Sequence, residues 1–201
     1  ACNTATAHAR ESLRAVSPVP MVGVVDPGAR AACAATSTGR IGVIGTSGTI
    51  ASGAYRRALL SLDPALEVHQ QPCPLFVPLV EEGWFAHPAA RLIAEEYLEP
   101  IRDAGVDTVV LGCTHYPLLK PLLGEVLGPG VRLIDSAEET ARDLAVALSA
   151  RGLEAGGSEG AAPRWAATDD VARFAAVGAQ FTGRPIDPVE LVELTAASPI
   201  S

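Results

Sequence analysis

A short, largely apolar run followed by a glycine-containing turn and an alanine-rich helix recurs along this chain, and this unit restricts the fold more than any other feature. The apolar runs cover residues 21–25, 41–44, 106–111 and 132–134. Helices are predicted at 5–15, 29–35, 49–60, 89–104, 118–127 and 138–150. Short apolar strands that alternate with helices are typical of parallel strands buried on both faces. We therefore predict an α/β fold with a doubly wound parallel sheet, whose ligand binds at the carboxyl ends of the strands.

The remainder of the chain is less regular. A glycine- and serine-rich stretch at 154–163 predicts a surface loop. A strand at 164–167, a helix at 171–181 and a strand at 189–194 are predicted after it, and the tail at 195–201 is predicted to fray.

The composition excludes several classes of function. A net charge of −8 without a basic cluster argues against nucleic acid and against an anionic membrane as a partner. No apolar run approaches the length of a membrane span. The cysteines at positions 2, 33, 73 and 113 are too widely spaced for a local zinc site. We expect reduced thiols in a cytoplasmic protein that holds no metal.

Two cysteines occupy similar turns, each of which opens a helix. Cys2 is followed by Asn3 and Thr4, and Cys113 is followed by Thr114 and His115. A thiol at a helix start meets unpaired N–H groups, which are expected to lower its pKa below the free value of about 8.5. Two thiols in matching settings suggest an acid–base pair that acts on opposite faces of one small molecule. For Cys113 alone, a buried structural cysteine beside a capping threonine is an equally good interpretation.

A third turn and an acidic pair complete the candidate residues. Thr46 and Thr49 flank a Gly-rich turn that could hold a carboxylate or phosphate, although no lysine follows it as in a P-loop. An ordinary turn with hydroxyl caps explains these threonines equally well. Glu81, after an apolar segment, could be a buried acid, whereas Glu82 is expected to be solvated. The remaining cysteines and histidines are given no role: Cys33, Cys73, His8, His69 and His87.

Five segments, in this order, carry a family resemblance. They are ACNTA at 1–5, IGVIGTSGTIASGAY at 41–55, CPLFVPLVEEG at 73–83, LGCTHYPLL at 111–119 and LIDSAEETA at 133–141. With these segments the chain resembles the glutamate racemases, cofactor-independent members of the aspartate/glutamate racemase family. The LGCTHYP segment is the most specific, because the related aspartate racemases usually carry an acidic residue in place of the histidine.

The resemblance implies two similar α/β domains with the active site in the cleft between them. Residues 1–20 and 134–201 would belong to the first domain and residues 21–133 to the second. Cys2 and Cys113 would exchange the Cα proton of glutamate, assisted by His115 and Glu81. The implied substrate-binding residues are Asn3, Thr4, Thr46, Thr49 and Thr114. No pyridoxal phosphate or other cofactor is implied, and the product D-glutamate would supply peptidoglycan synthesis.

The chain also departs from the family pattern. The resembling proteins begin with a strand that ends in Asp-Ser-Gly and continue with a Pro-Tyr-Gly segment, and neither precedes Cys2 here. We therefore expect the 201-residue polypeptide by itself to be inactive and poorly stable. The alternatives are a non-catalytic remnant that binds a dicarboxylate, a racemase for aspartate or a hydantoin, and, with less support, a thiol hydrolase. The oligomeric state varies in this family, and a homodimer is compatible with the resemblance.

Overall fold

The computed structural model describes residues 2–154 and 162–193. A four-stranded, wholly parallel sheet is formed by β1 (Arg40–Gly45), β2 (Glu67–Pro72), β3 (Thr108–Gly112) and β4 (Arg132–Asp135). The strand order is β2-β1-β3-β4, so β1 and β3 are central. Their residues are buried, apart from Arg40 at the start of β1. The predicted doubly wound α/β class is confirmed.

Helices cover both faces of this sheet. In chain order they are α1 (Asn3–Val16), α2 (Val25–Ala35), α3 (Ser47–Ser52), α4 (Ala54–Leu62), α5 (Phe76–Glu81), α6 (Pro88–Asp103), a 3₁₀ helix (Tyr116–Leu119), α7 (Lys120–Leu127) and α8 (Ser136–Ser149). Ile44 and Leu111 point into a core that contains residues of α5, α6 and α7. Val43 and Val110, the neighbouring residues, point into the opposite core, which contains residues of α2 and α4. This alternation makes each central strand apolar throughout.

One predicted strand is wrong. Residues 21–24 form no strand, and the segment Asp26-Pro27-Gly28, where the glycine-containing turn after this run was expected, lies inside the first turn of α2. An acidic side chain is favourable near a helix N-terminus, and proline is tolerated in a first turn because its missing N–H would have no partner there. Val24 and Val25 are apolar because they are buried at the start of this helix.

One strand and one helix break were not predicted. β2 is the edge strand of the sheet, and its sequence EVHQQP is mostly polar, with Val68 as its one buried residue. Pairing with β1 therefore defines this strand, because it has no apolar run of its own. The single helix predicted at 49–60 is divided into α3 and α4 at Gly53, whose φ of 64° is left-handed and favours glycine.

The chain forms two compact units, and the first of them ends at Glu154. The described part beyond it contains β5 (Trp165–Ala167), α9 (Val171–Thr182) and β6 (Val189–Leu191), in which the two strands pair in parallel across the helix. Most of the loop predicted at 154–163 and all of the tail predicted at 195–201 lie outside the described residues. The domain boundaries expected after residues 20 and 133 stay a prediction. No helix in the described ranges is long and apolar enough to cross a bilayer.

Candidate active site

The carboxyl ends of the central strands bring the candidate turns together. Gly45 at the end of β1 and Gly112 at the end of β3 are paired in register, so Thr46 and Cys113 leave the sheet side by side. A Cβ atom at position 112 would lie 2.8 Å from the carbonyl oxygen of Ile44, which is closer than real Cβ atoms come. Glycine is therefore required here for the close approach of β1 and β3 that sets the position of Cys113.

Cys113 is 6% exposed, and its environment differs from the one expected. Burial raises the pKa of the thiol, and the opposing hydrogen bonds from the backbone N–H groups of His115 and Tyr116 do not compensate. The expectation that the helix start lowers the pKa of Cys113 is therefore wrong for this arrangement. A negative charge at Cys2 would raise the pKa of Cys113 further, so the two thiols lie within range of electrostatic interaction.

His115 connects Cys113 to an acid. Its Nδ1 atom lies 3.8 Å from Cys113 Sγ and 3.4 Å from Thr114 Oγ1. Its Nε2 atom lies 3.2 Å from Glu81 Oε1, at the end of α5. A carboxylate on one ring nitrogen orients the imidazole and favours a proton on that nitrogen, which leaves the other nitrogen to exchange a proton with the thiol.

Cys2 is the N-cap residue of α1 and is exposed. Its carbonyl oxygen accepts a hydrogen bond from the N–H of Thr6 at 2.9 Å. The N–H groups of the first helical turn have no partners within a helix, so they are suited to a carboxylate. Cys2 therefore lies at a helix start, as the sequence predicted, and the binding of an anion there stays a prediction.

Three threonine hydroxyls form a closed group beside the cysteines. Thr4 Oγ1 lies 2.9 Å from Thr46 Oγ1 and 3.0 Å from Thr49 Oγ1, and the last two atoms are 3.1 Å apart. Thr46 also caps α3, because its hydroxyl accepts the N–H of Thr49. A threonine hydroxyl has one proton, so each of them can donate to a bound carboxylate by releasing the hydrogen bond that it donates within the group. This group joins the Cys2 turn directly to the β1 turn.

Asn3 differs from the other residues expected to bind substrate, because its side chain is only 2% exposed. Its Oδ1 atom accepts a hydrogen bond from the Tyr55 hydroxyl at 2.6 Å, and its Nδ2 atom donates to Ser136 Oγ at 3.3 Å. Any contact of Asn3 with a substrate would therefore involve its main chain. Tyr55 and Ser136 were not among the expected site residues, although both lie in the segments that carry the family resemblance.

Two of the histidines that were given no role make local contacts. His8 Nε2 lies 3.1 Å from the carbonyl oxygen of Gly48, and His87 caps α6 and stacks on Trp84. In the part of the chain that the structure describes, no group of three histidine, cysteine or acidic residues could hold a metal ion. Lys120 is ion-paired with Asp135 and Glu138.

Comparison with known proteins places these features in a family. The sequence profile of the Asp/Glu/Hydantoin racemase family matches residues 1–144. A glutamate racemase of Geobacter metallireducens is 50% identical over 196 residues, which cover 98% of this chain and 73% of that protein.

Solved structures agree. The crystal structure of a glutamate racemase isoform from Bacillus anthracis has a TM-score of 0.89 and 38% identity, over 96% of this chain and 72% of that one. The glutamate racemase of Francisella tularensis, solved in complex with D-glutamate, has a TM-score of 0.87 and 30% identity, over 96% and 71%. The resemblance found in the sequence is thereby confirmed, and the chain belongs to the Asp/Glu/hydantoin racemase family of amino-acid isomerases.

Proposed function

We propose that this chain carries both acid–base groups of a glutamate racemase, with Cys2 and Cys113 acting on opposite faces of the substrate Cα. The observation that carries the proposal is that the two cysteine turns meet at the carboxyl ends of the central strands β1 and β3. Thr4, two residues after Cys2, contacts the β1 turn that lies beside Cys113. The electrostatic interaction between the two thiols supports the same arrangement.

In either direction of the reaction one cysteine begins as the thiolate and the other as the thiol. The thiolate of one cysteine takes the Cα proton, so that a C–H bond breaks and an S–H bond forms. The thiol of the other cysteine then gives its proton to the opposite face of Cα, and the substrate leaves inverted. No electrons are exchanged with any other group, and the two cysteines end with their protonation states interchanged.

His115 and Glu81 are proposed to serve the Cys113 side of this reaction. Burial keeps Cys113 as a thiol near neutral pH, and this form is suited to donating a proton. When Cys113 must accept a proton, His115 is close enough to take the thiol proton first, and Glu81 would stabilise the resulting imidazolium. The hydroxyls of Thr4, Thr46, Thr49 and Thr114, together with the main chain of Asn3, are proposed to hold the carboxylates and the amine of the substrate.

Glutamate is proposed as the substrate because the relatives that match most of the chain are named glutamate racemases. Supply of D-glutamate for peptidoglycan in the cytoplasm follows from this proposal, as does a reaction without a cofactor. A racemase for aspartate or another amino acid is the alternative, and so is a dicarboxylate-binding protein without turnover. A kcat/KM higher for L-aspartate than for L-glutamate would favour the first of these, and glutamate binding without inversion would favour the second.

The test uses Cys113→Ala in the natural full-length protein, with circular dichroism to follow the inversion of L- and D-glutamate. Loss of a general acid–base group is expected to lower kcat by about 10²–10⁴-fold in both directions. Cys33→Ala is the matched control, because Cys33 lies half-buried on α2 and should leave kcat unchanged. In D₂O, the inverted product of the unaltered protein should carry deuterium at Cα. Wild-type kcat in Cys113→Ala, or inversion without deuterium, would refute the mechanism.

A further inference from the structure

Three buried side chains from three different helices connect the two cysteine turns. The hydroxyl of Tyr55 on α4 donates to Asn3 Oδ1 at 2.6 Å, and Asn3 Nδ2 on α1 donates to Ser136 Oγ at 3.3 Å. The hydroxyl of Ser136, at the start of α8, donates to the carbonyl oxygen of Leu111 in β3 at 3.1 Å. These residues, here called the Tyr55–Asn3–Ser136 bridge, are each no more than 2% exposed.

Through Asn3 and through the Leu111 carbonyl oxygen, this bridge reaches the backbone next to each of the two thiols. Asn3 follows Cys2 directly, and Leu111 is separated from Cys113 only by Gly112. The backbone that carries one thiol is thereby hydrogen-bonded, through side chains alone, to the backbone that carries the other. The threonine group joins Cys2 to the β1 turn, whereas this bridge joins it to the strand of Cys113.

The bridge is also tightly packed, so it leaves little freedom of position. A Cβ atom at Gly112 would lie 3.2 Å from the Tyr55 ring, and one at Gly28 would lie 3.3 Å from the Tyr55 hydroxyl and 3.5 Å from Ser136 Cβ. Burial raises the pKa of Tyr55, which keeps its hydroxyl protonated and able to donate. Loss of such a partner leaves a buried polar atom without a hydrogen bond, and a shift of Asn3 is one way to relieve that cost.

We propose that Tyr55 and Ser136 are positioning residues for racemisation, which act through Asn3 to set the position of Cys2 relative to Cys113. This inference rests on the proposed function, because the spacing of the two thiols matters only if both reach one Cα atom. Transfer of a proton to each face requires both sulfur atoms at near-contact distance, and a displacement of about 1 Å can lower the rate about 10²-fold. Neither residue is proposed to touch the substrate.

The experiment compares Tyr55→Phe, Ser136→Ala and the double variant in the natural full-length protein, with kcat and KM for both glutamate enantiomers. Tyr55→Phe retains the ring and removes only the donor. Each single variant is expected to lower kcat about tenfold with a smaller rise in KM, because the threonine hydroxyls remain in place while Asn3 and the thiol of Cys2 move. The double variant should be no slower than the slower single variant, since both substitutions release the same amide.

Thr36→Val is the control for a purely structural loss. The Thr36 hydroxyl donates to Asp107 at 2.6 Å, at the amino-terminal end of the strands and therefore at the opposite end from the cysteines. Its removal should lower the melting temperature without lowering kcat. A Tyr55→Phe protein that melts earlier but retains wild-type kcat would overturn the inference, as would failure of both single variants to fold. If the unaltered protein does not invert glutamate, the proposed function itself fails. Normal turnover in every variant refutes the bridge alone.

Discussion

Replacement of Gly112 by alanine tests whether the close approach of β1 and β3 determines this site. The added Cβ would lie 2.8 Å from the Ile44 carbonyl oxygen and 3.2 Å from the ring of Tyr55. A backbone oxygen and a fully buried ring cannot both move aside, and overpacking of this kind costs about 1–3 kcal/mol. The alanine recovers about 0.4–1 kcal/mol, because it restricts the unfolded chain. We therefore expect a net loss of roughly 1 kcal/mol, within a range of about 0–2.6 kcal/mol.

Gly124→Ala provides the matched control within the same protein. Gly124 lies inside α7, and a Cβ there would meet nothing within 4 Å. The same substitution should therefore stabilise the protein by about 0.5–1 kcal/mol, since alanine favours the helix. Urea unfolding followed by circular dichroism measures both changes. Equal shifts of the midpoint for the two variants, or a stabilised Gly112→Ala, would refute the packing argument.

Two further predictions concern ionisable groups. Burial alone would raise the pKa of Asp107, but hydrogen bonds from Thr36, Ser37 and Thr38 outweigh it and hold the pKa well below its usual range. The charged form therefore contributes stability above the unfolded pKa of about 3.9, so Asp107→Asn should lower the free energy of unfolding by about 1–2 kcal/mol at pH 7. This difference should shrink as the pH falls below about 4, and a constant difference in acid would contradict the assignment. Since burial raises the pKa of Cys113, iodoacetamide should alkylate Cys113 more slowly than the exposed Cys2 at pH 7. The alkylation rate of Cys113 should increase as the pH rises above about 8.5. Peptide mass spectrometry measures both rates, and equal rates at pH 7 would contradict the prediction.

The fold class was predictable because its signal is local. β1 and β3 are apolar at almost every position, since both of their faces are buried, and their predicted starts lie within two residues of the observed ones. β2 was missed for the converse reason. At the edge of the sheet it needs hydrogen bonds to β1 more than buried side chains, and a polar sequence can supply these. The wrong strand before α2 shows that an apolar run also arises where a helix start is buried.

The candidate site was predictable in part. Cys113, Thr114 and His115 are close in sequence, and Thr46 and Thr49 share one turn, so their proximity within each turn follows from local geometry. That Glu81 approaches His115, or that Thr4 contacts Thr46, depends on how separate elements pack. The family resemblance assigns these residues to one site but predicts neither contact.

By itself, the sequence determined the α/β class, the family and the turns that carry the thiols, because hydrophobic periodicity and short motifs are properties of neighbouring residues. Only the tertiary structure decided the environment of those turns. The raised pKa of Cys113 follows from the core that surrounds it, although the helix start alone predicts a lowered one. The Tyr55–Asn3–Ser136 bridge joins residues as far as 133 positions apart, and no local pattern reports such a distance in space. Desolvation and long-range hydrogen bonding are properties of the packed molecule, and at this site they determine the electrostatic environment of Cys113.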